Sequence, residues 1–330
     1  MRAILCRGYG PIEGLVLDDV PSPEVRPGNV KVRVGAAGVN YVDTLIVQGR
    51  YQLKMPIPFT PGSECVGELI EVAADVARDV PHLTVGTRVL VTGGTGAYAE
   101  EVMAPAYSVT PVPDGISDGV AATFAQSYMT AMFALRDRAH AQRGQSLLVI
   151  GAGGGVGLAA VDVGASMGLR VFAAASSDEK RQLALEMGAE VAFDVRNDDI
   201  KSAVRELVAA EGKTGVDMVY DPVGGDRAET WLRTLGDNGQ FLVIGFVGGI
   251  PSLPLNHVLL RNRSITGVEW GSWALHNRSA NEAMQREVMA LIADRTLNPV
   301  EPTAYPLERT VDALRDLAER RASGKLIVVP

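Results

Sequence analysis

Hydrophobic and polar positions keep one rhythm through the first third of the chain and a different one after it. Short β-branched or alternating runs occur at residues 1–5, 30–39, 65–72, 88–91 and 99–103. They are separated by turn clusters such as Pro27-Gly28, Pro61-Gly62 and Gly93-Gly94-Thr95-Gly96. Alternation at period two places apolar side chains on one face of a strand, and short strands at this spacing predict a small barrel or strongly bent antiparallel sheet. Near Asp118 the pattern changes. Residues 120–139 are alanine-rich with helical periodicity, and Ser117 or Asp118 can cap their start. Apolar strands at 146–150, 170–175, 191–194, 216–221 and 239–245 then alternate with helical segments at 156–167, 178–187, 200–210 and 227–235. Strands that are apolar on both faces, each followed by a helix, predict a parallel sheet covered on both sides. A strand at 264–268, helices at 281–293 and 311–320, and a terminal strand at 326–329 complete the expected order.

Length and composition narrow the class. A chain of 330 residues exceeds one small core, so two domains are expected. The formal charge is −8 and no run of five like charges occurs, so neither a nucleic-acid groove nor contact with an anionic membrane is expected. Two cysteines and four histidines are scattered without metal-ligand or disulfide-framework spacing, which suits a reducing, cytoplasmic setting. The N-terminus lacks the apolar core of a signal peptide. The most apolar stretch, 147–169, is interrupted by glycines and Asp162 and reads as strand, turn and helix, not as a membrane span.

That stretch carries the strongest chemical signal. Leu147-Leu148-Val149-Ile150 runs into Gly151-Ala152-Gly153-Gly154-Gly155-Val156-Gly157 and then into a helix. One glycine permits the sharp turn, another lets the backbone approach a pyrophosphate, and the last lets helix pack on strand. Ala152, Gly154, Gly155, Val156 and Gly157 are therefore expected to hold a dinucleotide, helped by the helix dipole. After the second strand of the alternation stand Ser176, Ser177, Asp178, Glu179 and Lys180. Hydroxyls plus an ammonium suit a 2′-phosphate, so NADPH is favoured over NADH. Ser177 can equally cap the helix, and Asp178 or Glu179 can face a ribose.

Taken together, the glycine turn, Ser-Ser-Asp-Glu-Lys, Asp221-Pro222-Val223-Gly224-Gly225, Ala36 to Asp43 and Pro58 to Glu64 resemble the zinc-free quinone oxidoreductases of the medium-chain dehydrogenase/reductase superfamily. The resemblance runs the length of the chain, to Gly324-Lys325 and the apolar strand after it. It implies an α/β fold: a Rossmann doubly wound parallel sheet over 121–266, and a GroES-like bent β-barrel catalytic domain from 1–120 and 267–330. It implies a homodimer as well. Zinc-dependent relatives have cysteine at the place of Asn40 and histidine at that of Ser63, and a further cysteine near Gln126. Amide and hydroxyl groups are poor Zn²⁺ ligands, so no metal is expected. Gln126, Thr130, Gly245, Phe246, Val247 and Lys325 correspond to cofactor-contacting positions. Val195 stands where relatives often have a tyrosine beside the 2′-phosphate, and Arg196 can substitute.

Hydride reduction of a quinone or enone needs an oriented nicotinamide, a donor for the developing oxyanion and a proton source. Asn40, Tyr41, Asp43 and Tyr51 are the polar residues after Val39. Asn40 can donate to a substrate oxygen or to the nicotinamide carboxamide. Tyr51 can donate a proton or only a hydrogen bond, Asp43 can orient neighbours or cap a helix at 44–48, and Tyr41 suits a pocket wall. The leading expectation is NADPH-dependent, zinc-independent reduction of small electrophilic conjugated carbonyl compounds, quinones above all. Reduction of an enoyl thioester or alkenal is the enzymatic alternative. A cofactor-binding sensor or structural protein with little turnover is the other.

Overall fold

A computed structural model describes every residue of the chain except Leu53. The strands are β1 (Arg2–Leu5), β2 (Val16–Asp19), β3 (Asn29–Val39), β4 (Glu64–Val72), β5 (Arg88–Thr92), β6 (Glu101–Pro105), β7 (Val109–Pro111), β8 (Ser146–Ile150), β9 (Arg170–Ala175), β10 (Val191–Asp194), β11 (Val216–Asp221), β12 (Leu235–Val243), β13 (Ser264–Gly267), β14 (Thr303–Pro306) and β15 (Leu326–Val329). The chain forms two compact units, Met1–Gln126 with Val300–Pro330, and Ser127–Pro299.

The first unit is built on a seven-stranded sheet ordered β14-β15-β3-β4-β5-β7, with β6 also paired to β3. The eleven residues of β3 explain its bend. The first part, Asn29 to Arg33, pairs with β6, and Ala37 to Val39 pair with β15. Its pairing with β4 slips at Lys31/Val32 and again at Val34/Ala36. Such bulges add local twist and let one strand serve two directions of a sheet. The alternating apolar residues Val30, Val32 and Val34 enter a core with Cys65, Leu69 and Leu314. Ile46 and Val47 join them from a helix over Tyr41–Val47, which begins three residues before the 44–48 helix that the sequence allowed Asp43 to cap. So short a helix takes its stability from its cap and from tertiary burial.

The second unit contains a six-stranded sheet ordered β10-β9-β8-β11-β12-β13, parallel throughout. Strand order reverses between β8 and β11, the doubly wound arrangement that opens a crevice at the carboxyl ends of those strands. The central strands are buried on both faces, as their unbroken apolar sequences require. The helical expectation for 120–139 is modified. The structure has Asp118–Ala121, a π-helical turn at Ala125–Met129, one turn at Thr130–Met132 and a second π-helical stretch at Phe133–Arg138. Residues 267–299, grouped with the barrel from the sequence, pack in the second unit instead. Helix Arg278–Ala293 buries Met284, Val288 and Met289 there, Phe133 and Trp273 stack at 4.8 Å, and Asn298 N–H donates to buried Asp162 at 2.7 Å. No helix among the described residues is long and apolar enough to cross a membrane.

Candidate functional site

Two polar constellations stand out, one in each unit. In the first, Asn40 follows β3 and caps the next helix. Its backbone N–H donates to Asp43 Oδ2 at 2.9 Å, so Asp43 acts as the reciprocal helix cap. Tyr98 O–H donates to the same carboxylate at 2.8 Å. Asp43 is only 1% exposed, and burial pushes its carboxyl up to about 6 despite the bonds from Tyr98 and Asn40. The Ser63 hydroxyl also favours the ionised form, and the negative charge of Glu64 opposes it. Neither Asp43 Oδ1 nor Ser63 Oγ completes a hydrogen bond of its own. The carboxylate of Asp43 raises the Tyr98 phenol well above its usual range, after burial itself, so this tyrosine stays protonated.

Glu64 opens β4 beside this pair and is 1% exposed. Asn40 Nδ2 donates to its Oε1 at 2.9 Å and Gln126 N–H to its Oε2 at 3.1 Å. The Lys325 ammonium lies 3.4 Å from Oε1 and 2.5 Å from Asn40 Oδ1. Lys325, expected to touch cofactor, lies against these two side chains. Gly38 makes room for the cluster, since a Cβ there would lie 2.7 Å from Glu64 Oε1 and 2.3 Å from Ala122 O. Tyr41 and Tyr51 are half-buried, and Tyr51 packs against the apolar core. Sequence reasoning missed Tyr98 entirely. Fifty-five positions separate it from Asp43, and no local pattern marks the pair.

In the second unit, loops after β8, β11 and β12 converge. Gly151 turns the chain at φ +65°, Gly154 precedes the helix at φ −93°, and the helix runs Gly155–Ser166. Each glycine has its own reason. A Cβ on Gly157 would lie 2.3 Å from Gly151 O, and one on Gly153 would lie 2.4 Å from Lys180 Cβ. A Cβ on Gly154 would meet nothing nearer than Gly151 O at 3.6 Å. Packing therefore demands Gly153 and Gly157, while Gly154 leaves open the face a pyrophosphate would approach. The N–H groups of Ala152 and Gly154 are spent on Ala174 O and Gly151 O. The first intrahelical bond is Leu158 N–H to Gly154 O, so Gly155, Val156 and Gly157 have no intrahelical acceptor and point their N–H groups from the helix start. This donor set fits a dinucleotide phosphate.

Asp221 ends β11 and accepts from the N–H groups of Val223 and Gly224 at 2.8 and 3.0 Å, which shapes the next turn. The loop holding Gly245, Phe246 and Val247 lies against it, with Gly248 N–H on Val223 O at 2.7 Å. Phe246 is 45% exposed. After β9, Ser177 accepts the N–H of Lys180 and so caps the helix. The half-buried Ser176 precedes it, and the Lys180 stem crosses Gly153. Adjacent parallel register sets Asp194 opposite Ala175 and bonds Val195 N–H to Ala175 O at 3.1 Å, so Arg196 follows at the level of the two serines. Burial lowers the Lys180 pKa; Glu179 counters this, and the Arg196 charge adds to the lowering. Thr130 is half-buried in the one-turn helix of this unit. Among the described residues no three His, Cys, Asp or Glu side chains converge as a metal-ligand group.

The chain is similar to known proteins along its length. The chain matches the alcohol dehydrogenase GroES-like domain over residues 26–114 and the family described as zinc-binding dehydrogenase over 155–293. It is 36% identical over 329 residues to quinone oxidoreductase-like protein 2 of Bos taurus, covering 99% of this chain and 92% of that one. Among solved structures, the quinone oxidoreductase of Thermus thermophilus, determined also as its complex with NADPH, is 32% identical with a TM-score of 0.80. Both chains are covered completely. The Escherichia coli quinone oxidoreductase complexed with NADPH is 25% identical with a TM-score of 0.89, again over the full length of both.

Proposed function

Since the chain belongs to the quinone oxidoreductase-like members of the medium-chain dehydrogenase/reductase superfamily, we propose that it is an NADPH-dependent, zinc-independent reductase of quinones or related electrophilic conjugated carbonyl compounds. The observation that carries this reading is the glycine turn at the β8/β11 switch point, with Gly154 open and Lys180 laid across Gly153. The helix start at Gly155–Gly157 binds the pyrophosphate through backbone N–H groups. Ser176, Ser177, Lys180 and Arg196 take the 2′-phosphate, with two cations supplying the preference over a plain ribose. The loop of Gly245, Phe246 and Val247 flanks the dinucleotide, as do Gln126 and Thr130. When bound, NADPH supplies the hydride.

In the first unit, Asn40 donates to the substrate oxygen as negative charge develops on it. Quinones are electrophilic enough to react with a hydrogen-bond donor alone, which fits an amide and a hydroxyl at the two positions where zinc-dependent relatives carry cysteine and histidine. Elemental analysis finding stoichiometric zinc would sink that part of the reading. Asp43 holds the turn that presents Asn40, Tyr41 forms pocket wall, and Tyr51 hydrogen-bonds substrate or gives it a proton. A homodimer in the cytoplasm accompanies this reading, consistent with β13 as an edge strand that carries half-exposed Ile265. Light scattering on the purified protein tests the assembly. The deciding experiment follows NADPH and NADH oxidation against quinones, alkenals and enoyl thioesters. Preference for a thioester would replace the quinone assignment, and no turnover at all would favour a binding protein.

A further inference from the structure

Asn40 is held in a way that its sequence neighbours do not explain. A side-chain amide can be placed in two orientations that differ only by exchanging O and N, and hydrogen-bond partners decide between them. Here the partners are unambiguous. Lys325 carries only donors, so the amide atom 2.5 Å from its Nζ is the oxygen. Glu64 presents carboxylate acceptors, so the atom 2.9 Å from its Oε1 is the nitrogen. The opposite placement would set two donors face to face and two acceptors face to face. Glu64 is itself fixed, because the Gln126 backbone N–H claims its Oε2 at 3.1 Å and Lys325 lies 3.4 Å from its Oε1. Gly38, Glu64 and Lys325 come from three adjacent strands or strand ends of one sheet, since β3 pairs with β4 on one side and with β15 on the other.

We propose that Glu64 and Lys325 are positioning residues that lock the Asn40 amide in a single orientation, leaving one Nδ2 hydrogen to donate and turning the amide oxygen to Lys325. The inference rests on the reading of Asn40 as the substrate-oxygen donor. It adds that the site is selective for an acceptor atom on the substrate, such as a quinone or enone oxygen, and that Lys325 acts through Asn40 and not through cofactor. The amide oxygen is turned to an ammonium, which takes one of its two lone pairs. Of the two Nδ2 hydrogens one is spent on Glu64, and the other has no protein acceptor among the described residues. Fixing a donor before substrate arrives avoids reorganisation during the reaction, the source of the rate advantage of such groups.

The test is a double-mutant cycle over Asn40→Ala and Lys325→Met, combined with NMR of the side-chain amide. Lys325→Met is expected to lower kcat about 100-fold, the scale of a misplaced reacting contact, with NADPH binding unchanged. In the Asn40→Ala background the same change should lower kcat less than about 3-fold, since coupled residues are non-additive. Additive losses, or a loss of NADPH affinity with Lys325→Met, would overturn the proposal. The Asn40 ¹⁵N side-chain pair, identified by its absence in Asn40→Ala, should shift in Lys325→Met and Glu64→Gln and return towards its native position in Lys325→Arg. An unmoved pair overturns the clamp. This readout needs no substrate, so it judges the clamp even if no tested acceptor is reduced. Should Lys325→Met not fold, Glu64→Gln and Lys325→Arg carry the same comparison.

Discussion

Asp43 is an acidic side chain held almost out of water, and its titration has consequences that can be measured. Its folded carboxyl titrates near 6, above the value of about 4 expected for an unfolded chain. The folded state therefore binds the proton more tightly between about pH 4 and pH 6, and stability declines as pH rises through that window. The ionised carboxylate costs roughly 3 kcal/mol at neutral pH relative to acid conditions. Urea unfolding of Asp43→Asn should show this slope abolished. Tyr98→Phe removes the phenolic donor from the charged form and should destabilise the protein by about 1.5–3 kcal/mol at pH 8, and by less at pH 5, where the carboxyl is neutral. At the same scale, Asn40→Ala should lower kcat/KM for quinone by about 10²- to 10³-fold with NADPH binding intact, the range seen when one oxyanion donor is removed. Of these residues, Asn40 and Asp43 are visible from their positions after Val39. Tyr98 is not, because its role depends on its segment pairing with a distant one, Tyr98 N–H donating to Pro61 O at 3.0 Å beside a Gly62 whose Cβ would lie 2.8 Å from the tyrosine ring.

The strand-turn-helix element separates the two duties of glycine. Gly154→Ala adds a methyl where no protein atom is nearer than 3.6 Å and where φ is ordinary, so folding should be unaffected while NADPH affinity falls tenfold or more, about 1.4 kcal/mol. Gly157→Ala drives a methyl into the Gly151 carbonyl and should cost about 1–3 kcal/mol of stability as well as binding. Thermal melts beside fluorescence titration with NADPH distinguish the two, and equal melting losses would refute the assignment. The element itself is legible in sequence because strand, glycines and helix are contiguous. The helix Tyr41–Val47 is less so. It is short, and Asp43 and the buried Ile46 and Val47 hold it through capping and tertiary contact, which a residue pattern does not display.

For the molecule as a whole, the charge of −8 makes the pair Lys180 and Arg196 a local exception. NADPH affinity should weaken more steeply with ionic strength than NADH affinity, because the 2′-phosphate contact is screened. Lys180→Ala should reduce the NADPH-over-NADH binding preference by about tenfold. Equal salt slopes for the two cofactors would reject this subsite. By itself, the sequence determined most of the succession of strands and helices and the strand-glycine-helix turn, because each is written in neighbouring positions, and the family resemblance named the places where zinc ligands would stand. Tertiary structure alone decided the strand order, the packing of 267–299 with the second unit and the meeting of Asn40, Glu64, Tyr98 and Lys325. Those depend on strands pairing across tens to hundreds of residues, where burial and hydrogen-bond satisfaction, and not local periodicity, choose the partners.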